Sequence, residues 1–522
     1  MYDVAILGGG MAGMATAARL QAQGLSTVVF EAHGQPGGCA GFFRRSGFAF
    51  DVGATTLVDF EPGGVGGELL ESIGMAALAG ELLPGYRAWL PDRVVTLHRD
   101  SSLWAKERLQ ALGDSPAHRR FWELIDRLAQ VFWKVSRAGI KLPIQTAGDF
   151  IRAVRTVAPR AWPLVRYLRW TVGDALRHFR LRDDDALAGL LGMLLQDTVH
   201  ARVDDAPLIN GALGITIRGA GLTRARGGMY GFWQGFTAHY RALGGRLITG
   251  CPVKRVHATG PEKQKTPCGF IIETRRHTFE AWQVVSALPA SLTIRLCPAA
   301  VGQPLEFFVK RDADALGGAV VVFLGVPEYE VSGQAFTHHQ LMHDYGSPLR
   351  NGNNLFISVS SAGDTVSAPP GFRTVMISTH CELSEWEGLS AEAYEIQKER
   401  IGARLLDLAR RVYPELGRQA VVREVATPRT FERFTHRPRG AVGGVRQTLR
   451  NTNQQAIPHA TQLPGFWLAG DTTWPGLGTV ACVLGSRLVA EGVVDLARRR
   501  RPIQVPSPPL HARKANHESV VH

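Results

Sequence analysis

The feature that most constrains this chain is its beginning, which alternates strand, helix and strand. Residues 2–7 (YDVAIL) read as a short buried strand, residues 11–20 carry a helical pattern, and residues 27–30 return as a second strand that Glu31 closes. Two strands joined through a helix form the opening unit of a doubly wound sheet. We therefore predict an α/β fold that begins with a Rossmann-type domain.

Three glycines connect the first strand to the helix in the pattern Gly8-x-Gly10-x-x-Gly13. Gly8 permits a tight turn, Gly10 lets the backbone approach a pyrophosphate, and Gly13 lets the helix pack close to the sheet. Glu31 stands at the end of the second strand, where a carboxylate accepts hydrogen bonds from ribose hydroxyls. The pattern predicts a dinucleotide-binding site.

Two later segments distinguish FAD from NAD as the dinucleotide. Residues 36–40 (PGGCA) make a second glycine turn that extends a phosphate cradle, and Gly470-Asp471 directly follows an apolar strand. Gly478 and Thr479 then open a helix, whose positive N-terminal end would face the flavin ring where negative charge builds on reduction. These segments favour FAD.

A chain of 522 residues needs more than one hydrophobic core. The motifs that predict FAD binding lie near both ends of the chain, so their domain is assembled from distant segments. The pattern between about 68 and 200 is mainly helical, and several β-rich runs lie between about 300 and 430. We predict an FAD-binding domain assembled from three separate segments, residues 1–75, 206–300 and 431–500. Between them we predict a helical substrate and membrane-associating insert over 76–205 and the sheet and helices of a substrate domain over 301–430. Residues 501–522 are predicted to form a disordered tail.

The sequence resembles the carotenoid desaturase and isomerase group of FAD-dependent, amine-oxidase-like oxidoreductases over about residues 2–497. The resemblance is carried by these segments in order: AILGGGMAGMATAARL, EAHGQPGGCAG, FAFDVGAT, GGMYGFWQGF, GGRLITGCPVKRV, WQVVSALP, SSAGDTVSAPPGF and LPGFWLAGDTTWPGLGT. Within the group, DVGATTLVDFEPGG and TVGDAL are most similar to C-3′,4′ carotenoid desaturases. The resemblance implies an amine-oxidase-like FAD domain with an inserted mixed-sheet substrate domain and a helical membrane-associating region.

The resemblance also implies a role for individual positions in cofactor binding. Gly8, Gly10, Gly13 and Glu31 would hold the ADP half, and Gly37 and Gly38 the pyrophosphate. Asp51 and Gly53 would lie in a segment that passes the flavin, and Val253 would hold the adenine through its backbone. Gly470 and Asp471 would bind the ribityl side, and Gly478 and Thr479 the isoalloxazine end.

The reaction implied is desaturation of a carotenoid by hydride transfer to flavin N5, with oxygen or a quinone as the electron acceptor. Three alternatives stay open: a cis–trans isomerase that uses reduced FAD, a flavin amine oxidase and a carotenoid-binding flavoprotein without turnover. An amine oxidase would need two aromatic walls at the flavin, for which only Trp474 is a candidate. The oligomeric state and the catalytic residues are left unassigned.

Two groups of polar residues were considered for chemistry beyond the cofactor. His200, Arg202 and Asp204 lie in a turn where a proton-handling role competes with that of an ordinary solvated loop, which we favour. His338, His339 and His343 lack a fixed ligand spacing, so we predict no metal site. The six cysteines form no CxxC pair or disulfide framework.

The positive charge of +13 is concentrated in two regions. Residues 134–182 carry 11 basic and two acidic residues, and residues 498–522 carry six basic and one acidic residue. The first region interleaves arginines with apolar side chains: Trp162, Tyr167, Leu168 and Trp170 with Arg160, Arg166 and Arg169. This composition favours a segment lying on an anionic membrane surface over a helix face packed on its own domain. No nucleic-acid-binding motif accompanies the charge.

We expect a cytoplasmic protein that associates with the membrane from its cytoplasmic face. No run of 18 apolar residues predicts a spanning helix. The first strand begins at residue 2 without a basic region or cleavage site before it, which argues against secretion.

Overall fold

A computed structural model describes residues 1–260 and 267–500, apart from the side chain of Arg160. The predicted tail, residues 501–522, lies outside the described residues. The strands, in chain order, are β1 (Tyr2–Leu7), β2 (Thr27–Phe30), β3 (Phe42–Arg45), β4 (Phe48–Asp51), β5 (Leu57–Val58), β6 (Gly80–Leu82), β7 (Gly85–Trp89), β8 (Val94–His98), β9 (Leu222–Ala225), β10 (Arg246–Ile248), β11 (Val253–Thr259), β12 (Gly269–Thr274), β13 (Thr278–Ser286), β14 (Gly318–Pro327), β15 (His338–Met342), β16 (Asn354–Val359), β17 (Phe372–Cys381), β18 (Val422–Ala426) and β19 (Phe466–Leu468). The α-helices are α1 (Met11–Ala22), α2 (Val65–Ser72), α3 (Ser101–Leu112), α4 (Pro116–Arg137), α5 (Ala147–Thr156), α6 (Val172–His178), α7 (Asp185–Thr198), α8 (Leu208–Thr216), α9 (Gly228–Ala242), α10 (Ala290–Leu296), α11 (Ala299–Arg311), α12 (Ala391–Ala409), α13 (Pro428–Thr435) and α14 (Thr479–Arg500).

The first sheet has the N-terminal βαβ unit at its centre. β1 pairs in parallel with β2 and β13, and β10 adds in parallel to the outer side of β2. The far side of β13 is shared, because its first half pairs with antiparallel β12 and its last three residues pair with parallel β19. The predicted Rossmann-type α/β fold is thereby confirmed, and the carboxyl ends of β1, β2 and β19 meet at one edge.

Helices α1 and α14 cover one face of this sheet. The first ten residues of α1 are buried, including Arg19, whose guanidinium forms an ion pair with Glu68 on α2 at 2.6 Å. The side chains of α14 that point inward, from Val483 to Val493, join the same hydrophobic core. Both helix N-termini therefore lie at the edge where the sheet strands end.

The second sheet has seven strands in the order β18–β14–β17–β16–β15–β7–β8. Its neighbours are antiparallel except for β15 and β7, which are parallel. Side chains alternate between its two faces, so Val320, Val322 and Leu324 pack towards α12, whereas Val321 and Phe323 point the other way.

The expectation of a mainly helical region is wrong between residues 80 and 98. This stretch forms β6, β7 and β8, and the last two extend the second sheet. The alternation of buried Tyr86 and Ala88 with half-buried Arg87 and Trp89 is the period-two pattern of a strand. The helical insert and the substrate sheet are therefore not separate in space.

The strands over residues 2–7 and 27–30 and the helix between them agree with the prediction within a few residues. Farther along the chain, β10 and β11 are separated by residues 249–252, which pass close to the end of β2. The Gly250 amide donates to the His33 carbonyl at 2.8 Å, and the Cys251 amide donates to the Glu31 carbonyl at 2.9 Å. These hydrogen bonds bring the start of β11 beside the end of β2.

Within residues 1–260 and 267–500, no helix combines the length and the apolar character that crossing a bilayer requires.

Candidate cofactor and substrate site

Two glycine turns face each other at the edge of the first sheet. The Gly37 amide donates to the Gly9 carbonyl at 2.9 Å, and a Cβ atom added at Gly38 would lie only 3.4 Å from the Cα of Gly10. Side chains at Gly10 or Gly38 would fill the space between the turns. This bare backbone, together with the N-terminus of α1, fits a pyrophosphate.

The carboxylate of Glu31 is fixed beside this cradle by backbone amides. Its Oε2 accepts from the Gly9 amide at 2.7 Å and its Oε1 accepts from the His33 amide at 2.7 Å. Each oxygen keeps a second lone pair, so the carboxylate can also accept hydrogen bonds from a ribose.

A buried ion pair lies where the last strand of the first sheet ends. Asp471 follows β19, and its Oδ2 lies 2.5 Å from Nη2 of Arg437. The carboxylate beside Arg437 raises the pKa of the guanidinium, although burial opposes this shift. Gly478 and Thr479 at the start of α14 line the same space. A cofactor that places polar groups here meets a fixed pair of opposite charges.

A continuous cavity of about 1810 Å³ connects this cofactor cradle to the second sheet. Binding pockets for single small molecules usually measure roughly 300–1,000 Å³. The cavity therefore has room for a dinucleotide and for a second large molecule beside it.

The half of the cavity beyond the flavin end is largely apolar. The second sheet contributes side chains from four strands to the cavity lining: Phe323, Met342, Phe356 and Met376. Opposite them, α7 presents its smallest residues on one face, with Ala188 and Gly192 one turn apart. A Cβ atom at Gly192 would already lie 3.0 Å from Leu349. The result is a narrow slot between a helix and a sheet.

The slot also contains polar side chains, which the sequence analysis missed. Tyr86 on β7, Asp197 at the end of α7 and Arg218 after α8 all line it. The guanidinium carbon of Arg218 lies 4.9 Å from the centre of the Tyr86 ring. These residues come from distant segments of the chain, so no local motif announces them.

His200 and Arg202 both line the cavity, whereas Asp204 does not belong to the lining. The His200 ring meets the His380 ring edge-on at 5.4 Å, and burial, with Arg446, lowers the pKa of His200 to about 4. Asp204 forms ion pairs with Arg177 and Arg182, and Arg202 pairs with Asp205. The three residues do not form a proton-handling group.

The three histidines considered for a metal are separated by their strand. His338 contacts the Ser358 hydroxyl at 3.0 Å, and His339 contacts the Tyr413 hydroxyl at 3.0 Å on the other face of the sheet. His343 lies beyond the end of β15. In the described segments of the chain, no cluster of three or more His, Cys, Asp or Glu residues is arranged to hold a metal ion.

Most positions predicted to bind the cofactor line the cavity: Gly8, Gly10, Glu31, Gly37, Gly38, Gly53, Val253, Gly470, Asp471, Gly478 and Thr479. Gly13 and Asp51 do not. A Cβ at Gly13 would lie 2.0 Å from the Gly8 carbonyl oxygen, so this glycine permits close packing of α1. The cofactor contacts of the lining residues stay predictions.

Asp51 is committed to the protein interior. Its Oδ2 pairs with Arg224 at 2.7 Å, and its Oδ1 accepts from the Met229 amide at 2.7 Å. Desolvation dominates over Arg224 and raises the pKa of Asp51. The side chain stabilises the segment that passes the cavity and is not available to a cofactor.

Trp474, the one candidate for an aromatic wall of an amine oxidase, is also buried. It is 1% exposed, packs in the core below α14 and does not line the cavity. The aromatic arrangement that an amine oxidase would need therefore gains no support from this residue.

A Rossmann-type sheet, two opposed glycine turns and a carboxylate beside them are features of dinucleotide-dependent oxidoreductases. The chain belongs to the family of flavin-containing amine oxidoreductases, whose family model matches residues 200–494. Residues 6–72 match an NAD(P)-binding Rossmann-like domain. These matches confirm the prediction of FAD as the cofactor.

Relatives with named activities align with almost the whole chain. Prolycopene isomerase 1 from an Oncidium hybrid cultivar is 24% identical over 506 residues, covering 94% of this chain and 84% of the relative. The lycopene-forming phytoene desaturase of Pantoea ananas is 24% identical over 531 residues, covering 95% and 99%. The predicted resemblance to the carotenoid desaturase and isomerase group is confirmed.

The fold is shared with solved structures as well. An oxidoreductase from Methanosarcina mazei superposes with a TM-score of 0.58 at 16% identity, over 94% of this chain and all of that one. This similarity shows the fold alone.

Proposed function

We propose that the protein is an FAD-dependent carotenoid desaturase of the C-3′,4′ type. The observation that carries this proposal is the continuous cavity, which leads from the glycine cradle into a narrow apolar slot. A carotenoid is a long, thin and apolar molecule, so it matches a slot between the second sheet and the small residues of α7. Relatives named as carotenoid enzymes support the same substrate class.

FAD, when bound, supplies the two-electron acceptor for the removal of two hydrogens from neighbouring carbons. The glycine turns would hold its pyrophosphate, Glu31 its ribose and Asp471 its ribityl side. The slot residues hold the polyene in place and exclude water. Oxygen or a quinone would accept the electrons at the end of the cycle.

A carotenoid cis–trans isomerase is the second candidate. The prolycopene isomerase relatives, which span 94% of the chain, favour it. Both activities would use the same cradle and slot, and they differ in whether electrons leave with each turnover.

We further propose that the protein takes up its substrate from the cytoplasmic face of a membrane. The helix α5 and the 3₁₀ segment Pro159–Arg169 expose six apolar side chains: Phe150, Ile151, Val154, Trp162, Val165 and Leu168. We call these the apolar patch. Exposed Arg166 and Arg169 belong to the same segment as Trp162, which is 54% exposed. Exposed apolar groups with arginines nearby suit an anionic lipid surface.

The residues of the apolar patch are not the same as those that the sequence predicted for a membrane-facing segment. Tyr167 is buried and packs against half-buried Trp170 with ring centres 5.0 Å apart, so these two aromatic residues hold the segment to its own domain. The residues that α5 contributes were not predicted.

The test of the reaction is a product measurement with purified protein. Protein loaded with FAD is incubated with an acyclic carotenoid in liposomes and a soluble quinone, and products are analysed by mass and visible absorption. We expect products that lack two hydrogen atoms and absorb at longer wavelength. Products of unchanged mass but altered isomer ratio would establish the isomerase instead. Binding of the carotenoid without either change would leave a non-catalytic carrier.

A further inference from the structure

A polar cluster on the wall of the slot comes from elements other than those of the glycine cradle. Asp197 closes α7, Arg218 lies in the 3₁₀ turn Ile217–Ala220, and Gln340 lies on β15. Asp197 and Arg218 line the cavity with Tyr86, and the side chains of Arg218 and Gln340 are 5% and 2% exposed. A carboxyl group and a guanidinium thus lie beside the apolar side chains of the second sheet.

Gln340 holds the two charged groups in place without letting them meet. Its Nε2 donates to Oδ2 of Asp197, and its Oε1 accepts from Nη2 of Arg218 at 3.4 Å. Among the described residues, no ion pair within 4.0 Å joins Asp197 to Arg218, and no donor is hydrogen-bonded to Oδ1 of Asp197. Nε and Nη1 of Arg218 also have no hydrogen-bond partner within residues 1–260 and 267–500. Buried ionisable groups this poorly satisfied are costly to stability, and in enzymes they cluster at sites of chemistry.

We propose that Asp197 is the proton acceptor of the reaction, with Arg218 and Gln340 as its positioning residues. The inference rests on the proposed desaturase function. It assigns the role to a carboxylate that lies in the slot, has one free oxygen and is held by an amide from the opposite sheet.

The step balances with flavin as the only oxidant. One C–H bond of the polyene breaks with its electron pair leaving as hydride to the flavin, and conjugation spreads the positive charge that remains. Asp197 then takes the proton from the neighbouring carbon, and the electron pair of that C–H bond becomes the second bond of the new C=C. Asp197 returns its proton to water before the next turnover.

The electrostatic surroundings give this proton acceptor a recognisable pH dependence. Burial raises the pKa of Asp197 to about 6, while Arg218 and the Gln340 amide oppose that rise. Arg218 and Tyr86 are the charged and titratable groups whose fields couple to Asp197. The acid form cannot accept a proton, so the rate should rise with pH through about 6. If His200 were the base, the rise would occur near its pKa of about 4.

The experiment compares FAD-loaded wild type with Asp197→Asn, Asp197→Glu and Asp204→Asn. We expect Asp197→Asn to lower kcat at least about 100-fold, the usual scale of general-base catalysis. The variant should also lose the rise of the rate with pH through about 6, which we call the pH limb. The absorption spectrum of the bound flavin should stay unchanged, and so should the shift of the carotenoid absorption band on binding. Asp197→Glu should keep a limb at reduced rate. Asp204→Asn, which alters an exposed carboxylate of the next loop, should stay within about two-fold of wild type.

The outcomes separate this inference from the proposed function. A wild type that binds FAD and carotenoid but makes no desaturated product overturns the proposed function and this inference with it. An active wild type whose Asp197→Asn variant keeps its rate and limb overturns only the inference. If Asp197→Asn loses FAD, the Arg218→Gln variant tests the assignment instead. Arg218 lowers the pKa of Asp197, so its loss must move the pH limb to higher pH. An unmoved limb contradicts the assignment.

Discussion

The two halves of the cavity recognise their ligands in different ways. The cofactor half offers mostly backbone, since its cradle consists of opposed glycine turns and the N-terminus of α1. Its charged groups are Glu31 and the ion pair of Asp471 with Arg437. The substrate half offers side chains, which comprise an apolar wall, the small face of α7 and the buried pair Asp197 and Arg218. Backbone recognition requires short sequence patterns, whereas side-chain recognition is assembled from distant segments.

This difference has a consequence for function. A backbone cradle is complementary to the phosphates that dinucleotides share, so it fixes the cofactor and leaves the substrate open. The substrate half contains ionisable groups whose pKa values burial has shifted, among them Asp197 and His200. Variants in the two halves should therefore fail in different ways.

The largest effect is expected in the cofactor cradle. Gly10→Val would place a branched side chain where the backbone of Gly38 faces that of Gly10, and this fills the space for a pyrophosphate. We expect the purified variant to be colourless, with FAD affinity lowered at least about 1,000-fold, since overpacking and lost phosphate contacts add. Absorbance at the flavin bands and calorimetric titration with FAD measure this.

Gly34→Ala is the matched control for that experiment. Gly34 lies between β2 and the second glycine turn, and a Cβ atom added there meets nothing within 4 Å. The control should purify yellow. A Gly10→Val protein that retains FAD like the control would show that the turns do not hold the phosphates.

The cofactor half is also where the sequence was most informative. Gly8, Gly10 and Glu31 belong to one βαβ unit, and their spacing follows from the geometry of a strand and a helix. The later positions Asp471 and Gly478 follow an apolar strand and precede a helix, so their own motif indicates them, whereas Arg437, which pairs with Asp471, lies outside that motif. A sequence also cannot show that Arg224, more than 170 residues later, engages Asp51.

The substrate half was less accessible to prediction for a physical reason. β7 and β8 are short strands between helical segments, and they join the second sheet because β7 pairs with β15 and β8 pairs with β7. Asp197 and Gln340 are brought together by the packing of α7 on the second sheet, which no periodicity reveals. Tyr167 shares the composition of a membrane-facing segment but is turned inward by its contact with Trp170.

The second prediction concerns acid stability, which should differ between the halves. Three histidines lie on the second sheet, namely buried His338 and His339 and half-buried His380, and His200 lies beside it. Burial lowers the pKa of all four, to about 4 for His339 and about 3 for His380. The cofactor half contains one such group, His459, with a pKa of about 4.

Proton binding by the unfolded chain determines how the folding stability changes with pH. These histidines stay neutral in the folded protein but bind protons below about pH 6.5 when unfolded, so their contribution is present above 6.5 and is lost as pH falls. At about pH 6 the loss is roughly 0.8 kcal/mol per histidine, or about 3 kcal/mol for the four histidines of the substrate half. Hydrogen exchange at about pH 7.5 and pH 6 should show β14–β17 losing more protection than β1 and β13.

A pair of variants checks the cause of that difference. His339→Gln should make the pH dependence of the second sheet shallower, whereas His257→Gln, at a partly exposed position on the first sheet, should leave it unchanged. If hydrogen-exchange protection fell equally in both sheets, the prediction that the two halves differ in acid stability would be wrong.

The third prediction tests whether the slot holds the substrate. Gly192→Phe places an aromatic ring on the small face of α7, where even a Cβ atom lies 3.0 Å from Leu349. We expect the variant to purify yellow with normal FAD binding and to lose about 100-fold in carotenoid turnover, the effect of a blocked site. Ala111→Phe, at a half-buried position of α3 that does not line the cavity, should retain turnover. A Gly192→Phe enzyme of full activity would place the substrate elsewhere.

The smallest effect is expected outside both halves, at the apolar patch. Arg166→Gln with Arg169→Gln removes two charges from the segment that exposes Trp162, and an arginine near an anionic surface contributes about 1 kcal/mol. The pair should therefore weaken binding to anionic liposomes roughly 30-fold at low salt, and added salt should reduce the difference because it screens exposed charges. Flotation with liposomes of increasing anionic lipid content measures the affinity.

The matched control is Arg400→Gln with Arg411→Gln, which removes the same charge from exposed positions in and after α12. If net charge alone attracted the protein to lipid, both pairs would weaken binding equally. If the patch docks on the membrane, only the first pair does, and Trp162→Ser weakens binding even at high salt because it removes buried apolar area instead of charge. A Trp162→Ser variant with unchanged flotation would separate substrate uptake from this surface and leave the slot as the only region of the substrate half that meets the carotenoid.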